Sequence, residues 1–190
     1  MEQAMRLGIL AYPWDLADEG PAQAVACIAE RLGCNALALN ANYHTARLLR
    51  PRAHGPKMLD RPAALAAFQP DPARYATADL NPAVDADLVR HNVLAEAAAA
   101  CAAHGVDFGL WVVGLHNSTL GAAHPDLCMR NCFGDVYTYA LCPTQPRVRG
   151  YASDLVADVC AQFGPHRVIL EAVGWLGLRH GVHHELVMTA

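Results

Sequence analysis

The chain has 190 residues, 54% of them hydrophobic and 17% charged, with a net charge of -4. That length suits one domain with a sizeable core, and the balance lacks the clustered Lys and Arg that nucleic-acid binders show. No run of about 18 apolar residues supports a membrane span. The first residues lack signal-peptide organisation, so the expected location is cytoplasmic.

In chain order, residues 7–12 form a short apolar run without helical phase, as expected of a strand buried on both faces. Pro13 ends it. After Gly20, Pro21 suits a first helical turn, and Ala24, Val25, Ile28, Ala29 and Leu32 recur at three-and-four spacing. Residues 36–39 read as a second buried strand that leaves through Asn40, Asn42, Tyr43 and His44. From residue 43 to 82 six prolines leave room for little regular structure beyond a short helix near 62–68. Arg47, Arg50 and Arg52, the one local basic cluster, read as a solvated part of this loop. Asp85 or Asp87 is expected to cap an Ala-rich helix over 88–104.

The third strand, 108–115, is apolar throughout and exits into His116 and Asn117. A long connection leads to a helix after Pro146 that buries Val148, Tyr151, Leu155, Val156, Val159 and Cys160. A fourth strand, 168–170, delivers Glu171 and is expected to continue through Trp175. Cys27, Cys101 and Cys160 read as buried thiols. Cys128, Cys132 and Cys142, with His124, match no strong zinc spacing, and neither metal nor cofactor is called for.

Three of these helices reach short Gly-containing turns, at Gly33, Gly105 and Gly164, and drop directly into strands. Every strand leaves through a longer polar connection. In parallel βα architectures the strand-to-helix loops gather on one edge, where ligand sites lie. The order β-α-β-α-β-α-β without a hairpin signal therefore predicts an α/β fold with a parallel sheet. Periodicity leaves open whether residues 1–190 are one half of an eight-stranded barrel or a small open sheet.

The stretch from Leu115-His116-Asn117 through His124-Pro125-Asp126, Leu141-Cys142-Pro143 and Pro146-x-Val148-x-x-Tyr151 to Val168-Ile169-Leu170-Glu171 resembles glycoside-hydrolase-like (β/α)8 barrels. The resemblance implies a TIM-type barrel represented by its first half, a carbohydrate ligand, and either a homo-oligomer or a missing C-terminal half. It implies catalysis at Glu171, the candidate acid, base or nucleophile. Glycoside hydrolysis uses two carboxyl groups. Asp135 is carried forward as the second, with Asp15 and Glu185 as alternatives. Trp14, Asp15, Asn40, Tyr43, His44, His116, Asn117 and Trp175 are the expected substrate-binding residues, although rim packing is an equally available role for the rings. Two rival readings stay open. One is a xylose-isomerase-like sugar isomerase or epimerase using Mn, Zn or Fe on His180, His183, His184 and Glu185 with His116 and Glu171. The other is a non-catalytic carbohydrate-binding or assembly domain.

Overall fold

The computed structural model describes residues 6–176 with the exception of residue 52. Strand β1 (Gly8–Ala11) passes at once into helix α1 (Pro13–Glu19), which the sequence reading did not foresee. Pro13 ends the strand because it cannot donate to a ladder, and for the same reason it opens a helix, where the first N–H has no partner. Trp14 and Leu16 bury the helix against the core. Gly20, at φ 80°, breaks it, and Pro21 restarts it as α2 (Pro21–Glu30).

Strand β2 (Ala36–Tyr43) runs well beyond its expected end, and the segment after it is more ordered than its prolines suggested. A hairpin of β3 (Ala46–Leu49) and β4 (Met58–Arg61) is followed by β5 (Leu65–Ala66), where a helix was expected, and then by a turn of helix, α3 (Pro72–Tyr75). Arg50 is not a solvated residue of this segment. Its guanidinium binds Asp15, Asp18 and the Trp14 carbonyl, tying the hairpin to α1. Across the hairpin Arg47 pairs with Asp60.

Asp85 accepts from the N–H groups of Asp87 and Leu88, capping α4 (Ala86–Arg90). The expected long helix is then interrupted at Asn92, which takes the left-handed conformation at φ 46°, before α5 (Val93–His104). Asn tolerates that region better than most residues. Strand β6 (Asp107–Val113) follows, then α6 (Ser118–Ala123) and a second unforeseen hairpin, β7 (Cys128–Arg130) with β8 (Val136–Leu141). Helix α7 (Pro146–Phe163) leads into β9 (Arg167–Glu171). This last strand stops at Glu171 and does not reach Trp175, because Ala172 turns to φ 53°.

The central sheet has the path β1-β2-β6-β9, parallel throughout, with the two-residue β5 paired antiparallel to the end of β2 beyond β1. The α/β class and parallel sheet expected from the sequence are present. Register assigns the two faces. Leu37 and Leu39 lie in line with Phe108 and Leu110, and all four join Val25, Leu94, Ala97 and Leu155 of the helices in the main core. Side chains alternate along a strand, so Leu10, Ala38, Gly109, Trp111, Ile169 and Glu171 stand on the opposite face. Cys101 is buried as expected, but Cys27 is half-buried and Cys160 exposed, because α7 turns Cys160 away from the core that receives Val159. Among the described residues no helix is long and apolar enough to cross a membrane.

Candidate functional site at the C-terminal edge of the sheet

Strand β2 brings the site its polar floor. Between Asn40 and Asn42 the pairing with β6 shifts by one residue, and side chains repair the ladder. The Asn42 amide imitates a peptide group: its Nδ2 donates to the Val113 carbonyl at 2.7 Å and its Oδ1 accepts from the Val113 N–H at 3.1 Å. Asn40 Nδ2 donates to the carbonyls of Asn42 and Trp111. Its Oδ1 is buried without a hydrogen-bond partner. A bulge of this kind bends a strand and re-aims the residues after it, here Tyr43 and His44.

Above this floor the rings of four chain segments meet in one row. Tyr12 stacks on Trp14 at 4.5 Å between centroids and meets the edge of Tyr43 at 5.0 Å. Trp111 of β6 approaches both tyrosines, at 5.3 and 5.4 Å. Tyr43 stacks on His44 at 4.0 Å, His44 on His116 at 4.1 Å, and Tyr139 of β8 closes the row against His116 at 5.9 Å. The β7–β8 hairpin reaches this place because β8 runs against the exit of β6, with an antiparallel bridge between His116 and Ala140.

Glu171 joins the row through Trp111, whose Nε1 donates to its Oε2 at 2.7 Å. The strand end is held by two backbone bonds from the β6 exit, Gly114 N–H to the Glu171 carbonyl and Leu115 N–H to the Ala172 carbonyl. A side chain at position 114 would press on Val173 at 3.0 Å, so glycine permits this approach. The hydroxyls of Tyr12 and Tyr43 share a hydrogen bond of 3.1 Å. Burial, then that bond, and finally the Glu171 charge hold the Tyr43 phenol above its usual range. Neutral hydroxyls, ring edges and one oriented carboxylate are thus the chemical equipment of the site.

The expected site residues fall into three groups. Tyr43, His44, His116 and Glu171 are brought together, over a floor that contains Asn40. Trp14, Asp15 and Asn117 lie beside them, Asp15 and Asn117 with their polar groups engaged and Trp14 with its ring packed and its Nε1 buried without a hydrogen-bond partner. Trp14 is buried under Tyr12 with the Arg61 guanidinium 5.1 Å from its ring, Asp15 is paired with Arg50, and Asn117 caps α6 while donating to the Tyr151 hydroxyl. Trp175 is 73% exposed beyond β9. Asp135 is also exposed, at the tip of the β7–β8 hairpin, where its carboxylate and N–H both bond Asn131. Glu185 and His180, His183 and His184 lie outside the described residues.

Trp111 and Tyr139, on which Tyr137 stacks at 5.7 Å, were not singled out from the sequence. The signal for the tyrosines was their two-residue spacing in Val136-Tyr137-Thr138-Tyr139, a strand alternation. For Trp111 it was an indole two residues from Gly109, on the face away from the helices. Among the described residues no group of three or more His, Cys, Asp or Glu could hold a metal ion. No protein-family model matches the chain, and no curated protein matches it. Fold and site together define an α/β protein with an aromatic and carboxylate site at the C-terminal edge of a parallel sheet.

Proposed function

We propose that the chain binds a carbohydrate at the C-terminal edge of its sheet and forms one half of a glycoside-hydrolase-like (β/α)8 barrel. The observation that carries this reading is Glu171 held by the Trp111 N–H beside the row of rings. Sugars are recognised by hydroxyl-bonding groups next to apolar ring surface, and a glycosidic bond is cleaved by positioned carboxyl groups. The strand order supports the barrel over a doubly wound sheet. A doubly wound sheet reverses its order at a switch point, whereas a barrel adds each strand beside the last, as β1-β2-β6-β9 does.

In this reading Glu171 is the acid, base or nucleophile, and Trp111 fixes its direction. Tyr43, Tyr12 and His116 position the sugar. Asp135 is a weak partner for Glu171 because its carboxylate is spent on the hairpin tip. The test is hydrolysis of a panel of aryl glycosides by the wild-type chain and by Glu171→Gln. Turnover lost in the variant, with circular dichroism unchanged, supports the role of Glu171; retained turnover removes it. Saturable sugar binding without any turnover points to the non-catalytic reading instead.

A further inference from the structure

Among the described residues three surfaces of the sheet are left without a partner. Among the described residues β1 pairs only with β2 and β9 only with β6, so each outer strand has an open row of N–H and C=O groups. Exposed edges are commonly blunted by Lys, Pro or inward-pointing charge. Within β1 the residues are Gly, Ile, Leu and Ala, and β9 has charge only at its two ends. The third surface is the face turned away from the helices. There Gly8, Ala36, Ala38 and Gly109 border a mostly apolar hollow of about 120 Å³, rimmed by Asp107, His166 and Arg167, and Leu10 on the same face is 56% exposed. Parallel sheets are normally covered on both faces.

An occupant must offer an apolar face together with two free edges running in the same direction as β1 and β9. A second copy of this chain, turned by half a revolution about an axis along the strands, meets all three demands. Such a rotation preserves strand direction, sets the open edge of β9 beside the partner's β1, and repeats that contact on the other side. It also lays the hollowed face, with its projecting Leu10, against the same face of the partner. Both edges are consumed and the ring closes, as a two-fold assembly requires.

We propose that two copies close into one ring of parallel strands and that each supplies Glu171 to a shared site. This rests on the glycoside-hydrolase reading and answers its main gap, the second carboxyl group. The two β9 strands stand opposite one another in the ring, with both C-terminal ends at the same mouth. One Glu171, protonated, gives its proton to the leaving glycosidic oxygen. The other, ionised, takes a proton from the water that attacks the anomeric carbon as the C–O bond breaks. The sugar gains the hydroxyl, the leaving alcohol gains the proton, and the two carboxyls exchange protonation states. Because water displaces the leaving group in a single step, the reaction inverts the anomeric centre.

Sedimentation of the 190-residue chain tests the assembly, and mixing tests the shared site. The wild type is expected at twice its 20.4 kDa chain mass. Leu10→Glu is expected to be a folded monomer, since Leu10 is already exposed in the single chain. A monomeric wild type, or a dimer indifferent to Leu10→Glu, overturns the assembly and leaves sugar binding by the single chain a separate question. Adding an equal amount of Glu171→Gln chain to a fixed amount of wild type, with subunit exchange, should cut turnover to about half, because hybrid dimers lack one carboxyl. Unchanged turnover on mixing, or a sugar-binding dimer without turnover, overturns the shared site.

Discussion

The hydrogen bond from Trp111 to Glu171 makes the carboxylate a positioned group. Trp111→Phe keeps a ring and removes the N–H, so it should lower kcat about tenfold through lost orientation while KM changes little. A matching rise in KM with kcat unchanged would assign Trp111 to sugar contact instead. A second expectation concerns the phenols of Tyr43, Tyr75 and Tyr151. Burial is the largest cause holding all three above the usual 10.0, with the Asp158 carboxylate adding to it at Tyr75 and the Asn117 amide opposing it at Tyr151. In the unfolded chain they ionise near pH 10, while the folded chain keeps their protons. Their stabilisation is therefore complete below about pH 10 and falls as pH rises beyond it. Urea midpoints should decline as pH rises from about 10 to 11, less steeply in Tyr75→Phe; a flat profile would show that these phenols ionise in the native state.

At the scale of elements, close backbone approach decides what the hairpins can do. A Cβ on Gly121 of α6 would overlap the Thr138 carbonyl oxygen of β8. Gly121→Ala must push α6 from the hairpin, at a cost of about 3 kcal/mol from overpacking. Gly134, at φ 93° with open space around it, serves as the comparison: its alanine variant should cost only about 1 kcal/mol from the backbone. Chemical denaturation of both distinguishes them, and equal losses would contradict the contact. The same elements show what the sequence could reveal. The four parallel strands were legible as continuous apolar runs after glycine turns, and Glu171 because it ends one of them, but only β2 and β6 are buried: β1 and β9 are exposed or half-buried edge strands, where burial on both faces was expected of β1. The β3–β4 hairpin was not legible, since its regularity comes from distant partners: Arg50 meets Asp15 and Asp18, and Arg61 meets Asp85 and the Trp14 ring. Asp135 had the right chemistry for a second carboxylate, but the turn it stabilises was invisible without the β7–β8 pairing.

For the molecule as a whole, one sheet edge gathers segments far apart in sequence. Tyr12 follows β1, Tyr43 ends β2, Trp111 lies in β6, His116 leaves it, Tyr139 comes from the β8 hairpin and Glu171 closes β9. Parallel strands give these residues a common direction, and the helices behind them supply the rigid backing. The proposed binding site lies on that edge. Calorimetric titration of a panel of neutral oligosaccharides into the wild-type chain and into Tyr43→Phe and His116→Ala tests it. Saturable binding to at least one sugar, weakened by substitution at the edge with the fold retained, is the predicted result. Absence of saturable binding across the panel, or binding indifferent to both substitutions, would contradict it.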